Sequence, residues 1–249
     1  MGMPTKNRIV SWFSCGAASA VATKLILQEE QPVTIAYCYV KEEHEDNLRF
    51  LHDCEAWFKQ PITILTNEKY NGSCFEVFKK QFFNTPNGSP CTNELKRKVR
   101  LQFQQPDDIL VFGYTAEEEE RLNTFIDRNN NVKVRAPLIE HGLTKSDVLA
   151  MIEKAGIKLP KMYELGYEHN NCVGCVKGGM GYWNKIRVDF PERFKAYATL
   201  ERERGYTILK DKNGPIYLDE LDPTRGRMSD EPQIQCGILC EAAIKTYGG

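Results

Sequence analysis

Ile9-Val10-Ser11-Trp12-Phe13-Ser14-Cys15-Gly16-Ala17-Ala18-Ser19-Ala20-Val21 is the stretch whose reading decides the fold. An apolar run enters a turn of small residues and leaves into Ala22-Thr23-Lys24-Leu25-Ile26-Leu27, which reads as strand, tight turn and helix. Small side chains let several backbone N–H groups point into one concavity at the helix N-terminus, a place that holds phosphate. An ordinary packing turn would have the same composition, so the rest of the chain has to decide between the two.

Working outward, β-branched and apolar runs recur at Pro32–Val40, Pro61–Leu65 and Asp108–Thr115, with a short fifth strand expected over Arg135–Glu140. Between them lie helical patterns, first at Asn47–Phe58 and then at Phe75–Phe83. Strands alternating with helices predict an α/β fold, a doubly wound, mostly parallel five-stranded sheet with helices on both faces. The acidic group Glu42-Glu43-His44-Glu45-Asp46 follows the second strand, at the edge where such sheets keep their ligands. Thr92 or Asn93 is expected to cap a basic helix that carries Cys91 at its start and Lys96, Arg97, Lys98 and Arg100 beyond. Thr144 and Asp147 are spaced as a capping box, and Phe190–Arg204 reads as a further helix. After about residue 165 the chain turns rich in glycine, aromatics and cysteine. The expected division is an adenine-nucleotide-binding domain over residues 1–165 and a cysteine-containing, helical C-terminal extension over 166–249.

The 249 residues carry a net charge of −1, which gives no whole-chain electrostatic case for nucleic acid. No stretch approaches the roughly 18 apolar residues of a membrane helix and the N-terminus lacks an apolar signal core, so a cytoplasmic protein with no membrane partner is expected. Nine cysteines in such a chain point to metal ligands or reactive thiols rather than a disulfide framework. Cys172-x-x-Cys175 has the spacing that brings two thiolates to one metal. A Walker lysine, a dinucleotide Gly-x-Gly-x-x-Gly and a serine-hydrolase elbow are all missing from the sequence.

The ordered set of motifs resembles the phosphoadenosine phosphosulfate (PAPS) reductase family of the adenine-nucleotide α-hydrolase-like, or PP-loop, superfamily. Ser14, Gly16 and Ser19 match its Ser-x-Gly-x-x-(Ser/Ala) loop, and Cys91 with Leu95-Lys96 resembles its Cys-Cys-x-x-(Arg/Leu)-Lys segment. Gly113, Glu117 and Arg121 resemble its Gly-x-Arg-x-x-Glu-x-x-x-Arg segment, and Pro137-Leu138-Ile139, Leu159-Pro160, Tyr163, Gly166-Tyr167 and Cys172-x-x-Cys175 follow in the family's order. The departures are Ala18, where the ATP-cleaving branch has Asp, Thr115-Ala116 in the region of a frequent arginine, and Thr92 beside a single Cys91.

The resemblance implies an adenine nucleotide (ATP, adenylyl sulfate or its 3′-phosphorylated form) held by Ser14, Cys15, Gly16, Ala17 and Ser19. Adenine would lie near the backbone of Tyr39, Val40 and Gly113, while Glu117, Arg121, Lys96 and Lys177, with Arg225 and Arg227, are candidates around the anionic groups. It implies an iron–sulfur cluster of the 4Fe–4S type on Cys91, Cys172 and Cys175 with Cys240 as a further ligand, structural zinc being the competing reading. Gln235-Cys236-Gly237-Ile238 resembles the Glu-Cys-Gly-(Leu/Ile)-His signature of the reductases, making Cys236 the catalytic nucleophile, although Leu239 replaces the histidine. The implied activity is thiol-dependent reduction of (phospho)adenylyl sulfate to sulfite, with thioredoxin or glutaredoxin as reductant. Alternatives are an ATP-dependent sulfurtransferase acting on a nucleic-acid base or small acceptor, and a nucleotide-binding module without turnover. A homo-oligomer is compatible with each.

Overall fold

The structure, a computed structural model, describes residues 7–30, 32–85, 88–231 and 234. Its chain forms two compact units: residues 1–39, 45–66 and 99–170 make the first, and residues 40–44, 67–98 and 171–249 the second.

The first unit is an α/β sheet unit. Strands β1 (Ile9–Phe13), β2 (Val33–Cys38), β3 (Thr63–Leu65), β4 (Ile109–Val111) and β5 (Lys133–Arg135) form one sheet in the order β3-β2-β1-β4-β5. Every pairing is parallel, with Ile9 opposite Val33 on one side and Ile109 on the other. All five residues of β1 are buried, as expected of a central parallel strand covered on both faces. The chain runs outward from β1 through β2 to β3 and then returns to β4 on the opposite side of β1. The carboxyl ends of β1 and β4 therefore flank the topological switch point, where open sheets bind ligands.

Helix α1 (Ala17–Glu29) crosses from β1 to β2, and α2 (Asp46–Phe58) from β2 to β3. Phe13, Val21, Ile35, Tyr37, Phe50, Leu51, Leu138 and Ile152 meet in the core between sheet and helices. Thr23 of α1 bonds Ser11 of β1 through their hydroxyls at 2.8 Å and donates to the Ser19 carbonyl at 2.7 Å, which fixes the helix against the strand. The expected fifth strand differs: it covers 133–135, and Pro137–Glu140 forms a helical turn. Proline has no N–H for a ladder but suits the first helical position. The Thr144–Asp147 capping box is present, with the Thr144 hydroxyl accepting from the Asp147 N–H and the Asp147 carboxylate accepting from the Thr144 N–H.

The second unit is mainly helical. Helix α3 spans only Cys74–Phe78, shorter than the expected 75–83, and starts one residue earlier with Ser73 as its cap. The basic helix begins at Pro90–Thr92, ahead of the Thr92 or Asn93 cap expected, and passes through a π-helical segment over Asn93–Arg97. Proline at the first helical position sets that earlier start. Met180–Asp189 and Pro191–Arg204 are longer helices, followed by an antiparallel hairpin of β6 (Leu209–Asp211) and β7 (Gly214–Ile216). Tyr197 packs among Phe75, Phe78 and Trp183 at ring-centroid distances of 4.4, 6.4 and 5.1 Å.

Glu201 is fully buried in this unit and accepts the N–H groups of Ile208 and Leu218, each at 2.6 Å. Burial pushes its carboxyl pKa up from 4.5 to about 7. The folded state thus holds this proton more tightly than the unfolded one. Its stabilisation is complete below pH 4.5 and is lost as pH rises through about 7, a difference of about 3 kcal/mol. Thermal melts from roughly pH 5 to pH 8 should therefore show wild type losing stability relative to Glu201→Gln, whose curve should lack this component.

Candidate functional site

The turn after β1 is held by its own side chains. Ser14 donates its backbone N–H and its hydroxyl to Ser19 Oγ, each at 3.0 Å, and Ser19 Oγ donates to the Gly16 carbonyl at 2.9 Å. Ser19 is therefore a knot inside the loop, whereas the Ser14 side chain sits at an exposed position. Cys15, fully buried, adopts φ +55°, a left-handed conformation that side chains with a Cβ rarely take. Asn170 holds it there: Nδ2 donates to the Cys15 carbonyl at 2.7 Å and to Asn47 Oδ1 at 2.7 Å. The Tyr163 hydroxyl accepts the N–H groups of Ala17 and Asn170, and burial raises its pKa. Gly16 caps α1 without a side-chain bond. A helix of 13 residues thus opens onto a turn of Ser14, Cys15, Gly16 and Ala17, the arrangement that attracts an anion through the helix dipole and its first N–H groups.

Gly113, just after β4, lies against this turn. A Cβ there would stand 2.6 Å from Ser19 N and 2.7 Å from both Ala18 C and Ser19 Cα. The glycine brings the end of β4 into contact with the start of α1, so packing accounts for it. Of the other expected nucleotide residues in this unit, Tyr39 donates its N–H to the Leu65 carbonyl at 2.8 Å. Glu117 accepts the Lys145 N–H at 3.1 Å. Arg121 pairs with Glu118 rather than Glu117 and lies 5.1 Å from the Tyr114 ring centroid.

The second unit gathers thiols. Cys74, Cys172 and Cys175 are buried and Cys91 is partly so. Interaction with the neighbouring Cys172 and Cys91 thiols, together with burial, holds the Cys74 thiol protonated. Cys74, helped by the charges of Lys177 and Lys96, draws the Cys91 pKa below the ordinary thiol range. Lys96 is 8% exposed and pairs with Glu43 at 3.1 Å, so it is an interior cation and not a solvated one. Val40, also in this unit, is buried, and its carbonyl accepts the Glu43 N–H at 3.0 Å. The Cys172–Cys175 turn closes around the Tyr182 hydroxyl, which donates to the Cys172 carbonyl at 3.0 Å. The same oxygen accepts the N–H groups of Gly174 and Cys175 at 3.1 and 2.9 Å. Arg225 pairs with Asp211 at 2.8 Å. Cys236 and Cys240 lie outside the described residues.

These donors suit a thiophilic centre by their kind: soft sulfur, buried, with two lysines to offset thiolate charge. Among the described residues no group of three or more His, Cys, Asp or Glu is arranged as a metal site. The partners that sequence reasoning missed are Cys74, Asn170 and Tyr182, while Glu42 and Asn47 were read there only as part of the polar group after the second strand. Only Cys74 left a signal, as one more cysteine at a helix start after the Asn71-Gly72 turn.

A protein-family model described as the phosphoadenosine phosphosulfate reductase domain matches residues 8–178. The chain belongs to the PAPS reductase family. That match takes in the Ser14–Ser19 turn, Gly113, Cys74, Cys91 and the Cys172–Cys175 turn of this PAPS reductase family member. A crystal structure of phosphoadenylyl-sulfate (PAPS) reductase from Candida auris, solved as a phosphate complex, superposes with a TM-score of 0.52 at 14% identity, covering 68% of this chain and 82% of that one. NMN synthetase from Francisella tularensis superposes with a TM-score of 0.42 at 14% identity, covering 84% of this chain and 90% of that one. No curated protein sequence gives a significant match. Family and fold support binding of an adenylyl nucleotide and sulfur-related chemistry. Among the described residues no helix is long and apolar enough to cross a membrane.

Proposed function

We propose that this PAPS reductase family protein reduces adenylyl sulfate, or its 3′-phosphorylated form, to sulfite with a thiol reductant. The observation that carries the reading is the knotted turn at the N-terminus of α1, with Cys15 held at φ +55° by Asn170. It prepares a concave row of N–H groups for the anionic end of a nucleotide. Ala18 supports the sulfate-reducing reading over ATP cleavage, because the acid of the ATP-cleaving loop is missing.

In the proposed reaction the Cys236 thiolate attacks the sulfate sulfur. An S–S bond forms, the bond from sulfur to the bridging phosphate oxygen breaks, and AMP or its 3′-phosphate leaves with that electron pair. A second thiolate, from a thioredoxin- or glutaredoxin-type reductant, then attacks the Cys236 sulfur. Sulfite leaves and a mixed disulfide remains. Gly16 and the first-turn backbone of α1 would hold the nucleotide's anionic group, Ser14 and Ala17 shape the turn through Ser19 and Tyr163, and Gly113 sets the turn's position.

Cys91, Cys172 and Cys175 would hold an iron–sulfur cluster, with zinc the competing occupant; the group would supply positive charge and a fixed sulfur scaffold. Its support is donor chemistry and family membership. Single turnover without reductant tests the proposed step. Intact mass should show one sulfonate adduct on wild type and none on Cys236→Ser. An adduct that survives in Cys236→Ser would overturn the role of that residue.

A further inference from the structure

We infer that the second unit carries a docking strip for single-stranded nucleic acid: an aromatic platform of Phe82 and Tyr206 flanked by the cations Lys69, Lys80 and Arg204. The strip goes beyond the proposed reaction and does not rest on it, because none of these residues belongs to the anion turn or to the cysteine segments.

Two local features of the chain build the platform. Past the end of α3, Phe83 is 1% exposed and packs on Phe78 at a ring-centroid distance of 5.2 Å, which leaves its neighbour Phe82 facing outward at 61% exposure. Gly205 ends the helix Pro191–Arg204 at φ +70°, a left-handed stop that brings Tyr206 back onto Arg204. Arg204 Nε donates to the Tyr206 hydroxyl at 2.8 Å, and its guanidinium lies 5.2 Å from the centre of that ring. The hydroxyl donates in turn to the Gln81 carbonyl at 3.1 Å, so Tyr206 is held against Phe82 with ring centroids 4.8 Å apart. An exposed ring backed by a fixed one can stack a base at little further cost in ordering.

The cations gather beside it. Gln81 Nε2 donates to the Tyr70 hydroxyl at 3.2 Å, and the ammonium groups of Lys69 and Lys80 lie 5.2 and 5.5 Å from the centre of the Tyr70 ring. Among the described residues none of Lys69, Lys80 and Arg204 ion-pairs with a carboxylate, whereas Glu76 pairs with the adjacent Lys79. Cations without counter-charge next to an exposed ring complement a single strand, whose phosphates need positive charge and whose bases offer a π-face. A purely apolar protein partner would instead bury three charges without compensation. With a net charge of −1 the chain supplies no general attraction for a polyanion, so the affinity has to come from this strip.

The test is fluorescence anisotropy of the full chain with a fluorescein-labelled single-stranded RNA of about 12 nucleotides, with DNA of the same sequence and the RNA duplex as further arms. A single strand should bind at 50 mM salt and the duplex roughly tenfold more weakly, the tighter of RNA and DNA identifying the strand. Raising salt from 50 to 200 mM should weaken binding about twentyfold, the slope of about −2 expected of three phosphate contacts, and Lys69→Gln/Lys80→Gln should bring that slope to about −0.7. Phe82→Leu should weaken binding about tenfold and Phe82→Trp should retain it, both with unchanged melting temperature. The lysine variant decides the matter even if Phe82→Leu fails to fold. Absence of single-strand binding by wild type, equal binding of the duplex, an unchanged slope in the lysine variant or full binding by folded Phe82→Leu would overturn the inference. Self-association lost in Phe82→Leu, with no oligonucleotide bound by wild type, would assign the face to a second copy of the chain and overturn it as well. Each of these results leaves the proposed reaction standing.

Discussion

Gly113→Ala should abolish anion binding at the Ser14–Ser19 turn and lower stability by about 3 kcal/mol or more, or roughly 10 °C in melting temperature. The added methyl would meet Ser19 N, Ala18 C and Ser19 Cα at 2.6–2.7 Å, and all three are backbone atoms of the first turn of α1. Backbone cannot swing aside as a side chain can. Either the end of β4 withdraws from the sheet or α1 slides, and a slide breaks the Ser11–Thr23 hydroxyl bond and the Ser19 knot together. Isothermal titration with inorganic phosphate and a thermal melt read the two effects separately. Wild-type-like values in both would mean that the turn does not depend on close contact with Gly113.

Gly174→Ala should cost about 2–4 kcal/mol through two separable causes. Gly174 has φ +82°, where alanine is strained, and its added Cβ would lie 2.6 Å from Tyr197 Cε2 and 3.2 Å from Trp183 Cη2. Tyr197 is 1% exposed and wedged between Phe75 and Trp183, so its ring has nowhere to move. Combining Gly174→Ala with Tyr197→Leu, compared with Tyr197→Leu alone, should relieve the clash and leave the strain, about 1–2 kcal/mol. Urea melts of the four proteins give that cycle. Strict additivity would show that the ring contact does not contribute.

Much of the sheet unit was legible in sequence because central parallel strands are continuous apolar runs, and Ile9–Phe13 is buried at every position. The family followed from motifs in order along the chain, which need no geometry. Arg135–Glu140 misled because Ala136-Pro137-Leu138-Ile139 is apolar enough for a strand, while the missing N–H of Pro137 favours a helical turn. Gly113 was legible as a motif residue, but its cause was not, because backbone contact between β4 and α1 leaves no trace in composition. Cys74, Tyr182 and the bonding role of Glu42 were hidden for another reason. Their significance lies in bonds that cross tens of residues, and periodicity reports only neighbours. Ser19 was singled out for a phosphate, yet its hydroxyl bonds within the loop, a matter of local direction and not of residue type.

The measurement that tests the account most directly is product analysis after anaerobic incubation of the full chain with adenylyl sulfate and, separately, its 3′-phosphorylated form, with thioredoxin as reductant. The account predicts sulfite in equal amount to AMP or adenosine 3′,5′-bisphosphate, dependent on reductant and lost in Cys236→Ser. Failure to release sulfite from either compound, with pyrophosphate formed from ATP in the presence of a sulfur acceptor, would contradict it.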